Sequence, residues 1–225
     1  MKEYINLLTK HPLFNEISEQ DIYYLLECLS AKKKSFNKDE VIFEAGDSPE
    51  AVGIVMSGSV YVVQEDYWGG RNILSVIGKG GIFSEAFSCA DAKALPVSVL
   101  SREDSDILLI DCKKILTTCS SACVFHTSLI KNLMKVLANK NIFLTRKMEH
   151  ITKKTTREKV LSFLSERAVT EGKNTFQIEF NRQELADYLA VDRSALSYTL
   201  SRMKAEGLID YHKNTFRLKD KGYEN

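Results

Sequence analysis

The stretch from Asn181 to Leu218 constrains this 225-residue chain most, because it reads as a helix, a tight turn, a second helix and a two-stranded wing. Asn181 is an N-cap type, and Glu184 three positions on has the spacing of a capping box. Leu185, Ala186 and Leu189 then form a buried stripe. After a break at Ala190-Val191, the Asp192 carboxylate is placed to cap a second helix with Leu196, Leu200 and Met203 at helical spacing. The outward face of that helix carries Arg193, Ser194, Ser197, Tyr198 and Arg202. Gly207 suits the left-handed residue that ends a helix, and Leu208 to Tyr211 and Thr215 to Leu218 flank a turn at His212-Lys213-Asn214. The alternative is a small helical domain whose polar residues are only solvated. Cap, turn, second cap, exposed arginines and a basic wing together favour a winged helix-turn-helix built to enter a DNA groove.

Charge is distributed in the same sense. Residues 1–151 hold 17 Lys/Arg against 19 Asp/Glu, a net of −2, whereas 152–225 hold 14 against 11, a net of +3. The basic excess lies where phosphate contact requires it. The chain has length for two ordinary domains. It has no signal-peptide core and no apolar run of membrane-spanning length, which predicts a cytoplasmic protein without a membrane partner. Five cysteines, Cys28, Cys89, Cys112, Cys119 and Cys123, are an odd number that argues against a disulfide framework. They read mainly as packing thiols, with a redox role for Cys112, Cys119 and Cys123 left open. Cys119 and Cys123 stand one helical turn apart, but no fourth ligand accompanies the three thiols, and no metal site is expected.

From Glu40 to Asp111, short β-branched runs alternate with glycine turns at Gly46-Asp47, Ser57-Gly58, Gly69-Gly70 and Gly80-Gly81, as in an antiparallel roll preceded by a helix around Ser18 to Leu29. A helical tract from about Ser120 to Ile151 follows, without Pro or Gly. Its residues Ile130, Met134, Leu137, Asn141, Leu144, Met148 and Ile151 fall on alternating four- and three-residue steps, a heptad seam in which Asn141 would set register against its twin. A second stripe, Leu129, Val136 and Phe143, is expected to pack on the chain's own roll; a helix packed only on that roll is the alternative to a dimer. Thr155 and Glu158 mark a further helix with Val160, Leu161 and Leu164 as its buried face, and Phe176, Ile178 and Phe180 alternate as a short strand. The fold class is thus α+β, with a β-roll domain at 1–119, a dimerisation helix at 120–151 and the winged helix-turn-helix at 152–225.

This order resembles the Crp/Fnr family of bacterial transcription regulators. The resemblance rests on Asn181-Arg182-Gln183-Glu184-Leu185-Ala186, on Arg202-Met203-Lys204-Ala205-Glu206-Gly207-Leu208-Ile209, and on Gly78-Lys79-Gly80-Gly81-Ile82-Phe83-Ser84-Glu85. It implies a cyclic-nucleotide-binding-like roll, a homodimer, a double-stranded DNA operator with inverted repeats and an RNA polymerase contact. The second helix of the reader should lie in the major groove, with Arg193 forking onto guanine. Ser194 and Tyr198 depart from the family's Glu and Arg, so a different half-site is expected. The DNA-contact set is Arg182, Asp192, Arg193, Ser194, Ser197, Tyr198, Arg202 and Lys213, with Arg182 and Lys213 on phosphates. A solvated helix-start arginine is the other reading of Arg193.

In the family's cyclic-nucleotide members an Arg-Ser pair binds the phosphate; the matching positions here are Leu95-Pro96. Loss of Arg removes the charge that a buried phosphate needs, and proline lacks an amide donor. The effector pocket is expected at Phe83, Ser84, Glu85, Ala86 and Leu95, with Leu144 and Thr145 approaching from the helix, and should take a small apolar or cationic molecule. Glu85 is alternatively a structural acceptor. The family's iron-sulfur branch needs clustered N-terminal cysteines, absent before Cys28, and the four histidines are scattered, so no cofactor is expected. The chain lacks a catalytic constellation or Walker loop and reads as a non-enzyme. The function expected is an effector-controlled DNA-binding transcription regulator; the alternative is a cyclic-nucleotide-binding regulatory or scaffold module that does not bind DNA.

Overall fold

The computed structural model describes residues 4–65, 68, 71–117 and 124–219. The expected turn at Gly69-Gly70, the helix start at Ser120, Cys119 and Cys123 lie outside them. The chain divides into two compact units, Met1–Asn139 and Lys140–Asn225. No described helix is long and apolar enough to cross a membrane.

The first unit opens with α1 (Ile5–Leu8) and α2 (Glu19–Cys28), the latter capped by the Ser18 hydroxyl, which accepts from the Asp21 amide. Two four-stranded antiparallel sheets follow. One has the order β1 (Lys32–Phe36), β8 (Ser105–Asp111), β3 (Ala51–Ser57), β6 (Ile82–Phe83); the other β2 (Val41–Phe43), β7 (Ser98–Ser101), β4 (Ser59–Glu65), β5 (Arg71–Gly78). The two-residue alternation of a strand explains why β3 and β8 are buried on both sides. Val52, Ile54 and Met56, with Leu108 and Ile110, join a core containing α1, α2 and the long helix. Their neighbours Val55 and Ile107 face the other way, into a second core with Val60, Phe83 and Val99. Between β6 and β7 lies α3 (Glu85–Cys89), and α4 (Cys112–Leu116) follows β8.

The long helix α5 runs Val124–Ile151. Leu129 and Leu133 are buried in the sensor-side core, and the buried Asn132 amide donates to the carbonyls of Leu13 (3.2 Å) and Asn15 (2.7 Å). The second stripe does not stay on the roll as expected. Leu129 and Val136 pack there, together with Leu137 from the expected seam, but Phe143 belongs to the second unit, its ring 5.9 Å from that of Tyr188. A helix of 28 residues is about 42 Å long, so one face meets different neighbours along its length.

In the second unit α6 (Thr156–Glu171) begins with the expected Thr155–Glu158 capping box. Its buried stripe is Val160, Phe163 and Leu164; Leu161, expected inside, is 37 % exposed because one residue's rotation past Val160 carries it off the i, i+3, i+4 line. The strand expected over 176–180 is limited to β9 (Thr175–Gln177), although Ile178 beyond it is buried. Helices α7 (Arg182–Tyr188) and α8 (Arg193–Ala205) and strands β10 (Ile209–His212) and β11 (Thr215–Leu218) complete the unit, with sheet order β10-β11-β9. Leu185, Leu189, Leu196, Leu200 and Met203 form its core with Phe163 and Phe216.

Asp106 on β8 ties the edge strand and the N-terminal segment together: the Tyr4 and Ser35 hydroxyls donate to its carboxylate, and Lys33 Nζ lies 3.0 Å away. These bonds, the one from Ser35 foremost, hold its pKa at about 2, below the ordinary 3.8. A depressed carboxylate pKa stabilises the fold fully above the unfolded value and ceases to do so as pH falls through the folded one. Urea unfolding between pH 5 and about pH 2 is therefore expected to show an acid-side loss of stability that is reduced in Asp106→Asn; an unchanged pH profile in that variant would contradict this assignment.

Candidate functional site

The reader is assembled from caps. The Asn181 side chain accepts from the amides of Gln183 (2.9 Å) and Glu184 (3.0 Å), and Glu184 Oε2 accepts from the Asn181 amide at 2.7 Å, so the expected capping box is complete. Helix α7 ends at Leu189, and Ala190 turns the chain with φ 50°. Asp192 then caps α8, its Oδ1 accepting from the amides of Ser194 (2.7 Å) and Ala195 (3.2 Å). The Ser194 hydroxyl donates to the same oxygen. The hydroxyl and the two amides hold the exposed Asp192 carboxyl below its usual range. Two members of the expected contact set, Asp192 and Ser194, are thus engaged with each other because the first amides of a helix need an acceptor.

Arg193, Tyr198 and Arg202 project from α8 into solvent, with Ser197 half-buried between them. Arg193 makes no hydrogen bond or ion pair among the described residues. The guanidinium of Arg202 lies 3.6 Å from Glu206 and 5.9 Å from the centre of the Tyr198 ring, which is 65 % exposed. Gly207, at φ 73°, takes the expected left-handed turn out of the helix, and Lys204 pairs with Asp210 at 2.6 Å as the chain enters the wing. Lys213 sits exposed at the wing tip with φ 52°.

Arg182, expected on a phosphate, makes contacts within the chain. Its guanidinium lies over the rings of Tyr211 (5.1 Å) and Phe216 (5.6 Å) and donates to the Lys213 carbonyl at 3.4 Å. Burial lowers its pKa. It therefore joins α7 to the wing through cation–π and hydrogen-bond contacts. Lys159 of α6 has an analogous role that local sequence does not announce: its Nζ donates to the carbonyls of Leu189 (3.3 Å) and Ala190 (3.1 Å). Lys173, Arg217 and Lys219 line an open depression beside β9, another basic surface absent from the sequence-derived set.

In the first unit, Phe83 and Glu85 are 2 % and 3 % exposed, and Ser84 between them has φ 65°. The ring of Phe83 lies against Gly53: a Cβ there would stand 2.2 Å from Phe83 Cζ, so only glycine leaves room for this packing. The Ser84 and Ser88 hydroxyls are 3.2 Å apart, and Ser88 donates to the Ala51 carbonyl. Ala86 is exposed rather than lining an interior, since it follows Glu85 on the helix by about 100°. Leu95 is buried, and its main chain is committed on both sides: its amide donates to the Asp47 carbonyl (2.8 Å) and its carbonyl accepts from the Gly46 amide (2.9 Å). Pro96 has no amide proton to offer. Leu144 and Thr145 lie in the second unit, both exposed, with the Thr145 hydroxyl donating to Asn141 Oδ1 at 3.3 Å. The structure thus places Phe83, Ser84, Glu85 and Leu95 within the sensor unit and the two helix residues outside it.

A capped helix-turn-helix with a wing, following an antiparallel roll and a long helix, is the architecture of a DNA-binding regulator. The family model for the cyclic nucleotide-binding domain matches residues 33–122, and that for the Crp-like helix-turn-helix domain matches residues 158–222. The chain belongs to the Crp/Fnr family, and is a DNA-binding transcription regulator of that type. Among solved structures, it is similar to the c-di-GMP-responsive global regulator CLP of Xanthomonas campestris, with 18 % identity, coverage of 88 % of this chain and 98 % of that one, and a TM-score of 0.56. It is likewise similar to DNR from Pseudomonas aeruginosa, with 21 % identity over 98 % and 96 % of the two chains and a TM-score of 0.51. Both likenesses are of fold. A human voltage-gated delayed rectifier potassium channel is 24 % identical over 160 residues, which are 65 % of this chain and 14 % of the channel. The chain therefore spans about a seventh of that relative's length.

If Arg182 secures the wing, Arg182→Ala should speed amide exchange at His212 and Thr215 by about five- to thirtyfold, the range expected from losing two cation–π contacts of about 0.5–1 kcal/mol each. Unchanged wing protection in that variant would return Arg182 to the role of a free phosphate ligand.

Proposed function

We propose that the protein acts as a homodimer on an inverted-repeat operator, with affinity governed by a small effector, other than a cyclic nucleotide, at the Phe83, Ser84, Glu85 and Leu95 cassette. The DNA part is carried by Arg193: a guanidinium just inside the N-terminus of α8, exposed and without a protein partner among the described residues, suits bidentate recognition of guanine O6 and N7. Tyr198 and Arg202 extend the same face, and Lys213 at the wing tip suits phosphate. The dimer reading is supported by Met134, Leu144 and Met148, which are 67 %, 57 % and 59 % exposed at seam positions and would be covered by a second α5. RNA polymerase is the further partner this reading expects at a promoter.

The effector part rests on residues 95 and 96. A cyclic phosphate in a closed pocket needs a cation or several donors. Leu95 supplies no side-chain donor, its amide is already bonded to Asp47, and Pro96 has none. Glu85, buried at the start of α3, favours a ligand that donates hydrogen bonds or carries positive charge. Occupancy of this cassette would bias the dimer between arrangements that differ in the spacing of the two readers.

Two measurements test this reading. A duplex whose half-sites are centred about 34 Å apart should take up two chains, Arg193→Ala should cost about 1–3 kcal/mol and relax preference at one base pair, and Lys213→Ala should weaken all sequences alike. Equal losses on specific and random DNA for Arg193→Ala would remove it from base recognition. Calorimetric titration with cAMP and cGMP is expected to show no micromolar binding; such binding, abolished by Glu85→Ala, would restore the cyclic-nucleotide reading.

A further inference from the structure

Helices α3 and α4 meet at two thiols that neither DNA reading nor effector binding uses. Cys89 closes α3, the helix whose first turn holds Glu85, and Cys112 opens α4 directly after β8. Their Sγ atoms are 3.5 Å apart, and both are free thiols. Cys112 is 1 % exposed, whereas Cys89 is half-buried and accessible to a small solute. A disulfide has its sulfurs about 2.05 Å apart, so closure needs the two to approach by about 1.5 Å. Nothing around the pair suits a metal instead: no group of three or more His, Cys, Asp or Glu side chains is placed to hold one among the described residues, and two thiols alone leave a zinc site half made. Cys28, the remaining described cysteine, is exposed on α2.

The two sulfurs are also unequal. The hydrogen bond from Cys112 holds the Cys89 thiol below its ordinary range, and the same bond, with burial, raises Cys112. Being the more exposed of the two as well, Cys89 suits the part of nucleophile and the buried Cys112 that of resolving thiol.

We propose that Cys89 and Cys112 form a reversible disulfide in response to a peroxide, pinning the C-terminal end of the effector-cassette helix α3 to the start of α4. The Cys89 thiolate attacks one peroxide oxygen; the S–O bond forms, the O–O bond breaks, and hydroxide leaves to become water, giving a sulfenic acid. The Cys112 sulfur then attacks Cys89 Sγ; the S–S bond forms, the S–O bond breaks, and the departing hydroxide takes the Cys112 proton as a second water. Two thiols lose two electrons and one hydrogen peroxide becomes two waters. A dithiol returns the pair to the reduced state by exchange. The inference is independent of which effector the cassette takes.

The test uses the full chain, reduced and then treated with one equivalent of hydrogen peroxide, alkylated, and digested with trypsin without reductant. Cleavage at lysine and arginine separates Cys89 in peptide 80–93 from Cys112 in peptide 103–113, and leaves Cys119 and Cys123 together in peptide 115–131. The expected product is a covalent pair of peptides 80–93 and 103–113 that dithiothreitol separates and Cys89→Ser abolishes. In Cys112→Ser, Cys89 should accumulate as a sulfenic acid captured by dimedone. Recovery of both peptides alkylated, cross-linking of either to 115–131 in place of each other, or recovery of Cys89 only as sulfinic acid from the unaltered chain would overturn the proposal.

Discussion

The geometry of the DNA reader depends on one turn. Ala190 adopts a left-handed conformation with φ 50°, which costs a side-chain-bearing residue about 1 kcal/mol or more relative to the right-handed region. Three groups around it hold it. The Val191 amide donates to the Ala186 carbonyl at 3.0 Å, Lys159 Nζ donates to the carbonyls of Leu189 and Ala190, and Asp192 takes up the first free amides of α8. Because these groups fix where α8 begins, they also fix where Arg193 points. The buried Leu189 and Leu196 on either side of the turn press α7 and α8 into one core, so the direction of the second helix follows from packing as much as from the turn.

The sensor unit follows from a different constraint, the two-residue alternation of β3 and β8. Val52, Ile54 and Met56 serve the helical core while Val55 serves the roll interior, and Gly53, which would also face that interior, gives its place to the Phe83 ring. Filling this space with an aromatic side chain anchors the segment that leads into Ser84 and Glu85. The segment of the cyclic-nucleotide-binding-type domain that carries Ser84 and Glu85 is therefore held against the inner face of β3.

Helix α5 belongs to both units, with residues 124–139 in the first and 140–151 in the second. Its first half is fastened by Leu129, Leu133 and Asn132, and its second half by Phe143 and by His150, which is buried against Phe163 and within 2.9 Å of the Ser162 hydroxyl. Between and beside these anchors, Met134, Leu144 and Met148 are exposed.

Features determined by neighbours within about four residues were legible in the sequence: the Asn181–Glu184 and Thr155–Glu158 capping boxes, the Asp192 cap, the left-handed Gly207, and the buried stripes of α7 and α8. Each closes a short hydrogen-bonded ring or repeats at helical spacing, so its physics is contained in the local string. Tertiary structure alone decided that Arg182 turns onto a wing 31 residues away, that Lys159 supports a turn 30 residues on, that Leu161 and Ala86 face solvent, that Phe143 leaves the roll for Tyr188, and that Cys89 meets Cys112. These are contacts between elements, set by which faces bury together, and the local pattern of residues contains the faces but not their pairing.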